Sequence, residues 1–252
     1  MFPIRDHNPS GRAPLVTYLL IAANVVVFLL TWPLMEDPRQ LYTFYSHWAL
    51  IPADPNLHSY VTSMFLHGGI MHLAGNMLFL YIFGDNMEDE MGHVGFLLFY
   101  LACGVGAGLV HVLLSPGSVI PTVGASGAIA GVLGGYVLLY PRARVDVLLI
   151  LVVYFRVFTA PAWIVLGIWF AMQVFGVLGS DPQAGGVAYA AHAGGFLIGV
   201  LLTVPVWLRR GGPEFWNRNH GLPPHPARQN RQGNQSIVRQ RQSSVPKVRR
   251  RR

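Results

Sequence analysis

Six stretches of hydrophobic residues, separated by segments rich in polar residues, proline or glycine, divide most of the chain. Most of these stretches approach the roughly 20 apolar residues that a helix needs to cross a bilayer. Because a backbone inside hydrocarbon must satisfy its own hydrogen bonds, such runs indicate α-helices. The pattern predicts an all-α membrane protein, a six-transmembrane-helix bundle over residues 15–34, 69–84, 94–114, 123–140, 161–178 and 187–208.

The segments between these helices differ in composition. Residues 35–63 carry several Tyr, Phe and Trp side chains, which favour the headgroup level of a membrane, so we expect an interfacial first loop. The acidic residues 85–90 are interpreted as a loop after the second helix. Residues 145–155 are apolar but too short to span, and they are interpreted as an interfacial or buried connector.

Charge is scarce in the hydrophobic region and concentrated in the tail. Only 12% of the residues are charged, and most of the 18 Lys and Arg residues follow position 208. The chain is therefore divided into a cytoplasmic N-terminal lead (1–14), a six-span domain (15–208) and a disordered basic cytoplasmic tail (209–252). Basic loop residues mark the cytoplasmic side, which predicts that both termini are cytoplasmic. We expect the tail to contact anionic lipid headgroups rather than nucleic acid.

Four of the polar residues inside the predicted helices require an explanation together. They are Ser126 in the fourth helix, His192 in the sixth, and His72 and Asn76 in the second. Polar side chains in a membrane are costly unless they have a partner or a function. The spacing of four residues puts His72 and Asn76 on the same helix face.

Glycines on two helices suggest how Ser126 and His192 meet. Gly127 and Gly131, which are four residues apart, follow the serine, and Gly195 and Gly199, with the same spacing, follow the histidine. Such strips allow two helices to approach closely. If the strips face each other, His192 can accept the proton of Ser126, as a serine nucleophile requires. No carboxylate adjoins His192 in sequence, so the residues support a Ser–His dyad rather than a triad.

Two other functions fit the sequence less well. A zinc enzyme would be expected to carry a pair of ligands such as His-Glu-x-x-His, and the chain has none. An ion or proton transporter would be expected to carry acidic groups near the membrane midplane, where the predicted helices have almost none. We therefore expect no metal and no cofactor.

The motifs resemble those of the rhomboid intramembrane serine proteases, of a bacterial six-span type. The family's Gly-x-Ser-Gly sequence is similar to residues 124–127, and its His-x-x-x-Asn sequence is similar to residues 72–76. The resemblance implies the following residues: Ser126 as the nucleophile, His192 as the base, His72, Asn76 and the Ser126 N–H as the oxyanion hole, and Gly124, Gly127, Gly131, Gly195 and Gly199 as close helix contacts.

The resemblance also implies a substrate and a location. It implies hydrolysis of a peptide bond in or near a transmembrane segment of another protein, in the bacterial inner membrane, at a site that opens to the extracytoplasmic side. Because the glycine strips are used inside one chain, we expect a monomer. The fifth helix and residues 179–186 would form a gate.

The alternative is a non-catalytic, rhomboid-like protein that binds membrane clients. Two departures from the family are a missing Trp-Arg pair in the first loop and Ala130, where some members have an aromatic residue that packs on the histidine.

Overall fold

The computed structural model describes residues 2–151, 154–179 and 186–223. Helices make up most of this part of the chain. Eight α-helices are present among the described residues: α1 (Leu15–Thr31), α2 (Pro38–Trp48), α3 (Ser59–Thr62), α4 (Ile70–Leu114), α5 (Ser126–Leu139), α6 (Ala162–Gly179), α7 (Tyr189–Arg209) and α8 (Pro213–Asn219).

Four of the described helices are long and apolar enough to cross a membrane, namely α1 with the 3₁₀ turn that extends it, α4, α6 and α7. Helix α4 has 45 residues and is interrupted at Gly92, where a φ of 71° lies in the left-handed region that favours glycine. The chain is thus helical over 70–91 and again over 93–114. Helix α5, with 14 residues, is shorter than a usual span. The protein is a mostly helical, multi-pass membrane protein.

A three-stranded antiparallel sheet corrects the expectation of an all-α fold. Its strands, in the order β1-β2-β3, are β1 (Phe2–Asp6), β2 (Arg144–Leu151) and β3 (Tyr154–Pro161). The predicted connector at 145–155 is therefore part of a hairpin. Val145 and Val147 are fully buried, whereas Asp146 between them accepts a hydrogen bond from Thr159 at 2.6 Å. This alternation of buried and polar residues is the period of a strand.

The N-terminal lead is tied to the helices through β1. Tyr136 of α5 donates a hydrogen bond to Asp6 Oδ2 at 2.8 Å. Burial raises the pKa of Asp6 to about 7, against an opposing effect of this hydrogen bond. The lead is therefore more ordered than its turn-rich sequence predicted, and one of its side chains contacts the same helix that begins with Ser126.

The acidic residues 85–90 are helical, so their assignment to a loop is wrong. Glu88 accepts hydrogen bonds from the backbone N–H and the hydroxyl of Thr17, at 2.8 and 2.7 Å. It thereby provides an acceptor for N–H groups at the start of α1, which lack intrahelical partners. Glu90 accepts a hydrogen bond from Arg210 Nε at 2.9 Å. The acidic run thus joins α4 to the start of α1 and to Arg210, the residue that follows α7.

The predicted tail begins with ordered structure. Trp216 of α8 donates a hydrogen bond to the carbonyl oxygen of Leu138 at 3.0 Å, and its ring packs on Trp207 with 4.8 Å between centroids. The expectation of disorder is therefore wrong for 209–223. The rest of the predicted tail lies outside the described residues.

The predicted first loop contains helices α2 and α3. Asp37 caps α2 by accepting the N–H groups of Arg39 and Gln40, at 2.9 and 3.2 Å. The hydrogen bonds from Gln40 and Arg39 lower the pKa of this carboxyl. His58 Nε2 lies 2.7 Å from the carbonyl oxygen of His47, which joins α2 to the segment before α3. Its position at the membrane interface stays a prediction.

Helix α5 forms the centre of the bundle, between α4 and α7, and most of its residues are buried. A side chain at Gly195 would collide with the carbonyl oxygen of Gly127, and one at Gly199 would collide with that of Gly131. The glycine strips of α5 and α7 therefore lie against each other. This close approach determines the distance between the residues at the starts of the two helices.

Candidate active site

Ser126 and His192 are brought together by the packing of α5 against α7. Ser126 is the first residue of α5, and His192 lies in the first turn of α7. The Oγ atom of Ser126 is 2.8 Å from Nε2 of His192, and both residues are half-buried. The distance allows the serine hydroxyl to donate its proton to the imidazole.

The turn before α5 places Ser126 beside α4. Gly124 has a φ of 124°, a conformation that residues with side chains rarely adopt. A side chain there would also lie 2.8 Å from the imidazole of His72. No side chain of the described residues caps α5. The first N–H groups of this helix therefore have no intrahelical acceptor and no capping group.

His72 and Asn76 lie on the other side of Gly124. The Nδ2 atom of Asn76 is 3.6 Å from the position that a Gly124 side chain would take. Asn76 is buried, and this nitrogen has no hydrogen-bond acceptor among the described residues. A buried donor without a partner is uncommon in proteins and calls for an explanation.

A cavity of about 550 Å³ joins these four residues. Its walls come from both ends of α4, the segment before α5, and the starts of α5 and α7, with Trp169 and Val177 added from α6. The side chain of His72 is exposed to it. The cavity lies at the end of α5 opposite the end that meets the sheet and α8. Its size is within the range of small-ligand sites in proteins.

Two contacts of His192 were not predicted from the sequence. The ring of Trp169 packs on the imidazole, with 5.9 Å between centroids and 30° between planes. This contact supplies the packing that the small Ala130 side chain does not. Gln173, one turn further along α6, has its Oε1 atom 2.9 Å from Nδ1 of His192. The sequence signal for Gln173 is that it is a polar residue inside the fifth predicted helix.

Other histidines near the cavity have separate surroundings. His67 is buried, and its ring lies 5.1 Å from that of His72. His111 Nε2 lies 2.9 Å from Thr122 Oγ1 in the wall of the cavity. His67 therefore packs against His72, and His111 contacts Thr122 in the segment before α5. In the described part of the chain, no three His, Cys, Asp or Glu side chains are arranged to hold a metal ion.

Comparisons with known proteins identify relatives over most of the chain. The Rhomboid domain model matches residues 54–209. Rhomboid-like protein 11, chloroplastic, of Arabidopsis thaliana is 36% identical over 81% of this chain and 68% of its own length. Rhomboid protein 1, mitochondrial, of Saccharomyces cerevisiae is 32% identical over 74% of this chain and 51% of its own. Rhomboid protease GluP of Bacillus subtilis is 35% identical over 48% of this chain and 24% of its own.

Fold, site and relatives agree on the class of protein. The candidate membrane spans, the contact between Ser126 and His192 and the match to the Rhomboid domain together define an intramembrane protein of the rhomboid type. The chain belongs to the rhomboid family. The chain spans about half the length of the yeast relative and of several mitochondrial relatives, so their whole activities do not transfer directly.

Proposed function

We propose that this rhomboid protein is an intramembrane serine endopeptidase that uses Ser126 and His192 as its catalytic pair. The observation that carries the proposal is the 2.8 Å contact between Ser126 Oγ and His192 Nε2 beside a cavity. A serine hydroxyl is a weak nucleophile until a base accepts its proton, and the histidine is such a base. The protease named among the relatives supports the same chemistry.

The reaction begins when Ser126 Oγ attacks the carbonyl carbon of the scissile peptide bond. Its proton passes to His192 Nε2, and an electron pair moves to the carbonyl oxygen. When this intermediate collapses, the C–N bond breaks and Nε2 gives the proton to the leaving amine. Water then attacks the acyl ester in the same manner, which releases the second product and restores Ser126.

The oxyanion of each intermediate needs donors near Ser126. The Ser126 N–H, His72 and the unpaired Nδ2 of Asn76 are the donors we assign to it. Donors that are already in position cost no rearrangement when the charge develops. This role explains why Asn76 is buried without a partner.

The substrate class follows from the surroundings of the site. Most of the long helices are apolar enough to lie in lipid, so the substrate that can reach the cavity is a transmembrane segment of another protein. We propose that the cavity opens to the extracytoplasmic side and that α6 forms part of the entrance. The remainder of the predicted gate, residues 180–185, lies outside the described residues.

Further proposals concern location and assembly. We propose that both termini are cytoplasmic, that the basic tail contacts anionic lipid, and that the protein works as a monomer. The names of the relatives indicate a chloroplast and mitochondria, so they do not support the prediction of a bacterial inner membrane.

Labelling with a fluorophosphonate, which reacts with activated serines, tests the proposal. We expect purified wild-type protein to be labelled and the Ser126→Ala and His192→Ala variants not to be. Ser46→Ala, which removes a half-buried serine on α2 outside the cavity, is the matched control and keeps its labelling. A folded wild-type protein that resists labelling would instead favour the non-catalytic, client-binding alternative.

A further inference from the structure

Gln173 holds the second nitrogen of the His192 ring. It is one of the three buried residues of α6, and only 6% of its surface is exposed. Its Oε1 atom is 2.9 Å from Nδ1 of His192, on the side of the imidazole away from Ser126. The catalytic steps above do not use this contact.

The helix itself determines which way the Gln173 amide points. Its Nε2 atom donates a hydrogen bond to the carbonyl oxygen of Trp169 at 3.0 Å. A carbonyl oxygen accepts and never donates, so the NH₂ group must be the part of the amide that faces Trp169. The amide oxygen is then the atom that faces His192.

The orientation of the amide in turn determines the proton on the histidine. An amide oxygen only accepts hydrogen bonds, so Nδ1 of His192 must carry the hydrogen. In a neutral imidazole the other nitrogen, Nε2, is then unprotonated and can accept the proton of Ser126. The opposite tautomer would set an N–H against the serine and leave two acceptors facing each other at Nδ1.

We propose that Gln173 is a positioning residue that selects the Nδ1–H tautomer of His192 and completes a Ser126–His192–Gln173 relay. This inference rests on the proposed protease function, because it assigns the residue that prepares its base. The amide does what a carboxylate does in many serine hydrolases, but it adds no buried charge to a membrane helix. The ring of Trp169, which also lies on α6, packs on the His192 imidazole and fixes its plane.

The placement of Gln173 on α6 makes the base depend on the docking of that helix. Helix α6 buries only Ala162, Leu166 and Gln173 among its 18 residues. Ser126 and His192 lie on α5 and α7, which are held together by their glycine strips. Movement of α6 away from α7 would therefore separate Gln173 and Trp169 from His192 without separating the Ser–His pair.

Three variants of the purified full-length protein separate this role from simple packing. Gln173→Met keeps a side chain of similar length but removes the acceptor, whereas Gln173→Glu keeps an acceptor. Met172→Leu, at a neighbouring exposed residue of α6, is the matched control. We expect Gln173→Met to lower the fluorophosphonate labelling rate and kcat about 10- to 100-fold, the range for loss of a hydrogen bond to a group that becomes charged. We expect an unchanged KM, recovery in Gln173→Glu, and no change in Met172→Leu.

Nitrogen-15 NMR of histidine-labelled protein provides a readout that packing alone does not change. The signals of His192 are assigned from the difference between wild type and His192→Ala. We expect wild type to show a protonated Nδ1 and an unprotonated Nε2, and Gln173→Met to show a mixture of tautomers. A protonated Nε2 in wild type would overturn the inference, even if Gln173→Met failed to fold.

These experiments distinguish a failure of the Gln173 inference from a failure of the proposed protease function. If wild type is not labelled, the protease proposal fails, and the tautomer of His192 still tests the contact with Gln173. If wild type is labelled and folded Gln173→Met reacts at the same rate, only the positioning role is wrong. A loss of labelling that Gln173→Glu does not restore, with an unchanged tautomer in Gln173→Met, would assign the effect to packing.

Discussion

At the scale of single residues, the unpaired amide of Asn76 is the strongest sign of chemistry outside the Ser–His pair. Its nitrogen is buried, and no acceptor among the described residues reaches it. Leaving a buried donor unsatisfied costs about 1–3 kcal/mol. An oxyanion that forms only during the reaction would accept a hydrogen bond from this donor. The donor is then unpaired in the ground state and paired in the transition state, which lowers the barrier between them.

We predict that Asn76→Ala lowers kcat for a transmembrane substrate by roughly 10²- to 10³-fold, as removal of one oxyanion donor does in other hydrolases. The loss of the Nδ2 donor should not itself destabilise the folded state, since this atom has no acceptor among the described residues. Asn24→Ala is the control, because Asn24 is also buried but donates to the Leu20 carbonyl in α1. Cleavage assays on both variants decide the matter: equal rates for Asn76→Ala and wild type would exclude Asn76 from the oxyanion hole.

The sequence predicted the contact between Ser126 and His192, whose motifs are local, and missed the contacts that tertiary packing supplies. Ser126 and His192 stand beside regular glycine spacing, which predicts where their helices meet. Gln173 and Trp169 lie on α6 without such a pattern. A glutamine in an apolar helix shows that a partner exists but not which partner, because the contact depends on how α6 is rotated against α7.

At the scale of elements, the long apolar helices followed from hydrophobic runs, whereas the sheet and the short helices α2, α3 and α8 did not. The run at 145–155 is too short to span, and apolar runs of this length fit a strand as well as a buried helix. What decides between them is pairing with Phe2–Asp6, which lies far away in sequence. The acidic residues 85–90 were assigned to a loop for a similar reason. Their partners at the start of α1 and just after the end of α7 are brought near them only by folding.

The glycine contacts between α5 and α7 lead to a stability prediction. Gly199→Ala should lower the free energy of unfolding by about 1–3 kcal/mol, because the new methyl group meets the backbone of Gly131, which cannot move aside as a side chain can. Gly167→Ala on α6 is the control, because it would contact nothing within 4 Å. Thermal unfolding in detergent compares the two. Equal stabilities would show that the helices do not pack as closely as described.

At the scale of the whole molecule, the two ends of α5 have opposite characters. Its first residue faces the cavity, and its far end lies beside α8, the sheet and the acidic residues of α4. With 14 residues, α5 separates these ends by about 20 Å. The cavity and α8 therefore lie at opposite ends of α5. The proposed orientation requires this arrangement, since the substrate site is to open away from the cytoplasm.

Two asparagines allow that orientation to be measured. Asn56 is exposed in the predicted first loop, and Asn217 is exposed on α8. The single native cysteine, Cys103, is fully buried and contributes no background. In right-side-out spheroplasts of an expressing bacterium, we expect a membrane-impermeant maleimide to label Asn56→Cys but not Asn217→Cys. Asn217→Cys should react once the membrane is opened with detergent, because α8 would then be accessible. Labelling of Asn217→Cys in intact spheroplasts would reverse the orientation and put the Ser126 cavity on the cytoplasmic side.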